Sequence, residues 1–317
     1  MKPLILITGP TGSGKSDLSV ALAKALNTEI ISADSVQVYR GFTIGSGKIT
    51  ADETEGIVHH LIDIKEPEEF YSAADFYEAS LPIFYRLWDE GKIPVICGGT
   101  ALYIHSLIYE LDFSKKPSSV LRNRLNSLYD EHGLEYMVEL LKEKEESMAH
   151  AVDLNNPRRV IRALERIESG HVETEQLRKV REDVDPLYIV LDWEREALYD
   201  RINRRVINMV EAGLFDEVES LYKTYGDDVK PMGSIGYKEV VKYLKGEWDE
   251  TTAIEKIQQH SRNFAKRQMT WFRKEEDAIF LPMSEMTREE AVEKILELER
   301  EKYGTDRGFA GDRKQSS

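Results

Sequence analysis

The chain has 317 residues, 41% hydrophobic and 32% charged, enough apolar material for about two packed domains and too much for wholesale disorder. No stretch approaches the roughly 18 consecutive apolar residues of a membrane span, no secretory leader is evident, and a single cysteine, Cys97, excludes an internal disulfide framework or a Cys-rich zinc site. Lys and Arg number 43 against 58 Asp and Glu, and the net charge of −15 argues against a polyanionic partner unless cations are locally concentrated. A cytoplasmic protein is expected.

Pro3 to Thr8 (PLILIT) reads as a buried strand that runs into a glycine-rich turn and an amphipathic helix, Lys15 to Leu26. Glu29 to Ser32 is a second short strand, ending at Ala33-Asp34-Ser35. Ser72 to Glu90 is a helix with Ser72 as N-cap and Gly91 just past its end. Pro94 to Cys97 is another buried strand, stopped by Gly98-Gly99, and Thr100 to Tyr109 is helical. Leu187 to Leu191 resumes the strand pattern, with a long helix from about Glu194 to Ala212 behind it. Strands alternating with helices imply an α/β fold, a parallel sheet flanked by helices.

Residues 113–185 break that rhythm with helical patterns only, so an all-helical domain is expected there, inserted into a core made of 1–112 and 186–303. The last third is helical apart from a strand at Ala278 to Leu281, and the polar tail 304–317 is expected to be disordered.

Gly9-Pro10-Thr11-Gly12-Ser13-Gly14-Lys15-Ser16 matches the P-loop pattern G-x-x-x-x-G-K-[ST] in full, in the strand–turn–helix context the pattern requires. Its glycines let backbone N–H groups converge on phosphate oxygens at a helix N-terminus, Lys15 adds a point charge, and the Ser16 hydroxyl suits a magnesium ion. A ligand bearing a diphosphate is expected. Nucleotide triphosphatases of this class also carry an acid after a neighbouring strand, yet the strand ending at Cys97 leads into Gly98-Gly99-Thr100. Asp34 is the one acid that topology puts near the phosphates, with a cap on its own loop as the lesser, structural alternative.

Basic residues are indeed concentrated. Lys256, Arg262, Lys266, Arg267, Arg273 and Lys274 fall in a stretch without an acid, and Arg262, Lys266 and Arg273 lie within about 40° of one another on a helix. Ile257, Phe264 and Trp271 are expected on the opposite, packed face. After Pro157, Arg158, Arg162 and Arg166 form a second row facing away from Val160, Leu164 and Ile167. Either row alone is a solvated face; two on an acidic chain favour a phosphate backbone as partner. Arg205 sits at the margin of an apolar stripe and can reach inward to an anion or snorkel to water. His59-His60 and Cys97 read as structural.

With these residues assembled, the chain resembles the bacterial tRNA dimethylallyltransferases (tRNA isopentenyltransferases) over about residues 3 to 283. GPTGSGKS is followed by ISADSVQVYRG, HHLIDI, GGTALYI, PRRVIRALE, RVINMVEAGL, SIGYKE and RNFAKRQMTWFR. The resemblance implies transfer of a dimethylallyl group from dimethylallyl diphosphate to N6 of the adenosine 3′ of the anticodon, with Mg2+. It implies the P-loop as diphosphate cradle, Asp34 as general base, Thr100 near the reacting centre, and Arg205 neutralising the departing diphosphate. It also implies tRNA contacts from Asp34, Ser35, Val36, Gln37, Thr100 and Asn123, and from Arg158, Arg159, Val160, Ile161 and Arg162, with the anticodon stem-loop as partner. A monomer is expected.

On this reading Asp34 accepts the proton of an amine whose lone pair is delocalised, cations stabilise the leaving diphosphate, and the target base is flipped into the site. A small-molecule kinase using ATP is the alternative for the same cradle, and a non-catalytic RNA-binding module the second. The first leaves the basic rows unexplained, and the Lys15-Ser16 pair beside Asp34 speaks against the second.

Overall fold

A computed structural model describes residues 1–110, 119–169 and 179–304. Six parallel strands form one sheet in the order β3-β2-β4-β1-β5-β6. They are β1 (Lys2–Thr8), β2 (Ile30–Ser32), β3 (His59–His60), β4 (Val95–Cys97), β5 (Val184–Asp192) and β6 (Ile279–Pro282). Leu4 to Ile7 of β1 have no solvent exposure, as expected of a central strand covered on both faces. Leu18, Leu22 and Leu26 of α1 (Lys15–Leu26) and Ala291 and Ile295 of α11 (Arg288–Tyr303) share one core with β1, β4 and β5. From α2 (Ala73–Asp89), Trp88 donates its indole N–H to the Pro3 carbonyl at 2.7 Å. The expected cap of α2 is present as a capping box, with Ser72 Oγ accepting from Asp75 N and Asp75 accepting from Ser72 N.

Most element ends agree with the sequence reading to within a residue or two, and the larger differences are a missed strand, a strand start and the limits of the insert. β3 is absent from that reading, because a two-residue strand leaves no periodicity to detect. β5 begins at Val184 rather than Leu187, since Pro186 masks the apolar run. Proline is tolerated at that position because β6 joins β5 only from Ile189 onward, so Pro186 has a strand on one side alone. By contacts the chain divides into Met1–Ile108 with Arg181 onward, and Tyr109–Val180, against 113–185 in the sequence. The expected disordered tail, 304–317, lies outside the described residues from 305 onward.

The first unit also holds α3 (Ala101–Ile108), α7 (Arg195–Glu211), α8 (Leu214–Tyr225), α9 (Tyr237–Leu244) and α10 (Glu250–Phe272). The described part of the second unit is helical apart from one bridge, Tyr109 with Val180: α4 (Ser119–Lys144), broken at Gly133, α5 (Glu146–Ala151) and α6 (Pro157–Glu168). Leu125, Met137, Leu141, Val160 and Leu164 form its core. Asn156 caps α6 by accepting from the Arg158 and Arg159 amides, with Pro157 where a missing N–H costs nothing.

Candidate active site

Parallel α/β sheets bind ligands beyond the carboxyl ends of their strands. There the first unit has a cleft of about 1050 Å³, with Lys15, Ser16, Asp34, Gln37 and Arg205 among its lining residues. Its floor is the loop from Gly9 to Gly14, which turns through positive φ at Gly9, Gly12 and Gly14 (144°, 79° and 86°). Gly14 is itself the N-cap of α1, so the first free amides of that helix open onto the cleft. Lys15 donates through Nζ to the Pro10 carbonyl at 2.8 Å. Burial, with Arg205 adding, pulls its ammonium down to about 8, against the opposing pull of Cys97 and Asp34.

Two arginines one turn apart on α7 close over this floor. Arg205 donates to Thr11 Oγ1 at 3.3 Å and reaches the Ser46 carbonyl at 3.5 Å; burial lowers its pKa, against the pull of Asp34. Arg201 donates through Nε to the Gly12 carbonyl at 2.8 Å, and its guanidinium lies 4.2 Å from the centroid of the Trp193 ring. Trp193 in turn donates to the Ser13 carbonyl at 3.0 Å. Sequence reasoning singled out Arg205 and missed Arg201 and Trp193. The available signal was the i,i+4 spacing to Arg205 and the position of Trp193 at the carboxyl end of β5.

Asp34 caps its own loop and also lines the cleft. Its Oδ1 accepts from Val36 N at 2.8 Å and Gln37 N at 3.2 Å, an Asx-type turn, whereas Oδ2 takes no protein donor among the described residues. The Thr100 hydroxyl accepts from Ser35 N at 3.1 Å, which ties the turn after β4 to the turn after β2 and leaves the Thr100 proton available. Gln37 donates to the carbonyls of Ser46 and Gly47 at 3.4 and 3.1 Å. That last segment is stapled from outside: the Glu217 carboxylate of α8 accepts from the amides of Thr43, Ile44 and Gly45 and from the Tyr237 hydroxyl. Tyr237 and Glu217 were also invisible in the sequence, because they lie far from the loop they hold.

The structure therefore gathers Gly9 to Ser16, Asp34 to Gln37, Thr100 and Arg205 in one unit. Asn123 and Arg158 to Arg162 belong to the other. There Asn123, Arg158, Arg159 and Arg162 are exposed, but Val160 and Ile161 are buried in that unit's core and present no side chain to a partner. Their part is to seat the helix that carries the arginines. Arg162 and Arg122 both bind Glu165; its burial would raise the carboxyl, and the two arginines hold it low instead.

On α10 the expected buried face is corrected. Ile257 is buried, but Phe264 is 37% exposed and lines the cleft, and Ala265, Gln268, Met269 and Phe272 are buried instead. Arg267 lies 5.7 Å from the Phe264 ring centroid at the cleft wall. His60 pairs with Glu29 at 2.5 Å and His59 bonds the Ile57 carbonyl at 2.9 Å, both local roles. Burial pushes the Cys97 thiol up, in keeping with packing. Among the described residues no helix is long and apolar enough to cross a membrane.

Comparison with known proteins places the chain among a set of relatives. The IPP transferase family profile matches residues 37–275. The tRNA dimethylallyltransferase of Macrococcus caseolyticus is 46% identical over 92% of this chain and 95% of its own length. The crystal structure of the Bacillus halodurans tRNA isopentenylpyrophosphate transferase superposes with a TM-score of 0.73 at 39% identity, covering 95% of this chain and 97% of that one. A eukaryotic dimethylallyltransferase crystallised acting on tRNA gives a TM-score of 0.76 at 27% identity, over 89% of this chain and 74% of that one.

Proposed function

The chain belongs to the IPP transferase family, and on that premise we propose that it transfers a dimethylallyl group from dimethylallyl diphosphate to N6 of the adenosine 3′ of the anticodon in tRNA. The observation that carries the reading is a complete phosphate cradle, with two arginines over it, sharing one cleft with a carboxylate that keeps one oxygen free among the described residues. The kinase alternative gains nothing from the relatives, and β4 still leads into Gly98-Gly99-Thr100 without an acid.

The donor's diphosphate lies on the α1 amides with Lys15 beneath and Arg205 above. As the allylic C–O bond breaks, its electron pair goes to the leaving oxygen, where these groups stabilise it. The adenine N6 lone pair forms the new N–C bond, and Asp34 Oδ2 receives the displaced proton. Thr100 orients the Asp34 turn through Ser35. Magnesium fits as an ion carried by the substrate. At phosphate sites it needs only one or two protein ligands, Ser16 lines the cleft, and no cluster of three metal-binding side chains occurs among the described residues. When bound it would neutralise leaving-group charge, with Ser16 as its protein ligand. The protein works as a cytoplasmic monomer, and the exposed arginines of α6 take phosphates of the anticodon stem-loop.

The test is direct: magnesium, unmodified tRNA and either dimethylallyl diphosphate or ATP. Prenylated adenosine formed only with the prenyl donor supports the reading; phosphorylation of a small acceptor with unmodified tRNA refutes it.

Two further outcomes are expected. Arg158→Ala and Arg159→Ala should each flatten the salt dependence of tRNA binding by about one in slope, with less from Arg162→Ala because Glu165 already neutralises it. An unchanged slope returns these residues to a solvated face. Second, a lysine depressed to about 8 is mostly neutral above that pH in the empty site, and a bound diphosphate restores its charge. Donor binding should therefore take up a proton when measured above about 8 and almost none near neutrality, and affinity should fall as pH rises through that value. Calorimetry in buffers of different ionisation enthalpy reads this. For the empty protein the sign is reversed: the unfolded chain holds more protons between about 8 and 10.5, so this group's cost to stability is relieved as pH rises across that window.

A further inference from the structure

Gln268 is a neutral amide on α10, 7% exposed, in the midst of a basic stretch. Its Oε1 accepts from the Thr11 amide at 2.9 Å, and its Nε2 donates to the Gly99 carbonyl at 2.9 Å. The partners fix the orientation of the amide, because a backbone N–H only donates and a carbonyl only accepts. One side chain thus joins the phosphate loop after β1 to the turn after β4. That turn continues into Thr100, whose hydroxyl holds Ser35 beside Asp34. Three hydrogen bonds and two chain links thus connect the diphosphate cradle to the base. The fit at the far end leaves no slack: a Cβ on Gly99 would come within 2.4 Å of Gln268 Nε2.

Resting on the transferase reading, we infer that Gln268 is a positioning residue. It keeps the donor's diphosphate and the Asp34–Thr100 pair in register, so that the allylic carbon meets the adenine amine rather than water. Glutamate in its place would lose the donor to Gly99 and set a negative charge beside the diphosphate. Leucine or methionine would leave the Thr11 amide and the Gly99 carbonyl without protein partners. Out of register, the allylic C–O bond can still break with its electron pair leaving on diphosphate. The incoming pair then comes from a water oxygen, whose proton passes to solvent, giving dimethylallyl alcohol and diphosphate instead of modified tRNA.

Two variants open the joint from opposite sides. Gln268→Met keeps the length of the side chain and removes both hydrogen bonds. Gly99→Ala leaves Gln268 in place and displaces its amide, and Gly99 lies outside the left-handed region, so the alanine carries no backbone strain. With full-length enzyme, magnesium, tRNA and dimethylallyl diphosphate, one measures diphosphate released per prenyl group placed on tRNA, the kcat and donor KM, and tRNA affinity. Wild type should release close to one diphosphate per transfer. Both variants should lose about 10²-fold in kcat, with a severalfold rise in the release ratio, a smaller change in KM, and unchanged tRNA affinity. A fall in kcat with the ratio unchanged identifies a merely structural role and overturns the proposal, as do variants that match wild type. Wild type that leaves tRNA unmodified overturns the transferase reading itself, a distinct result.

Discussion

Asp34→Asn should lower kcat by about 10²–10⁴-fold while leaving tRNA affinity intact. Asparagine is the informative replacement because Oδ1 serves the turn. An amide oxygen still accepts from Val36 and Gln37, so the loop that presents the residue keeps its shape. What changes is the second position, where a carboxylate oxygen that can take a proton becomes an NH2 group that cannot. Alanine would remove both functions at once and leave two loop amides to find water. Single-turnover prenylation measured beside tRNA binding separates the effects. An asparagine variant that turns over at the wild-type rate removes Asp34 from the chemistry and leaves it as a loop cap.

Gly47→Ala should reduce kcat/KM for the donor by about 10²–10³-fold, as loss of a charge-stabilising donor does, although glycine has no side chain with which to supply such a donor. Its φ of 60° lies in the left-handed region, and a Cβ there would stand 1.9 Å from a terminal nitrogen of Arg205. Two accommodations exist. The guanidinium can leave its place over Thr11, or the loop can pull away from the Glu217 carboxylate that accepts its amides. The first moves a cation from the leaving group, and the second takes from that cation its contact with the Ser46 carbonyl. If displacement of Arg205 is the cause, Gly47→Ala combined with Arg205→Gln should be no slower than the worse single variant, because one interaction cannot be lost twice. A wild-type kcat/KM in Gly47→Ala would mean that Arg205 acts from another position.

The sequence displayed whatever is local. The P-loop, the α2 cap at Ser72 and the apolar runs of β1 and β4 each put their whole pattern within about two turns or one strand. β3 was hidden by its brevity, and α10 by a misleading period. Ile257, Phe264 and Trp271 are spaced by sevens and imitate a buried stripe, yet the helix packs on Leu198 and Ile202 of α7 through Ala265 and meets the phosphate loop through Gln268, one small and the other polar. The same limit explains the site. Asp34, Lys15 and Ser16 were readable from motif and topology, and Arg205 only as an ambiguous edge residue. Arg201, Trp193, Glu217, Tyr237 and Gln268 act on backbone atoms more than a hundred residues away, except for the Tyr237–Glu217 bond itself, and no periodicity records such an approach.

The central place of β1 in the sheet has a consequence during synthesis. Thr8 and Ile189, hydrogen-bonded in the finished sheet, are 181 positions apart in the chain. At ribosomal speeds of roughly 5–20 residues per second, on the order of ten to thirty seconds pass between them. Throughout that interval a strand with four consecutive aliphatic residues, Leu4 to Ile7, waits with one edge open, and at first with both. The nascent polypeptide, rather than the completed enzyme, is therefore where self-association threatens, and a holdase acting at the exit tunnel would shield this segment first.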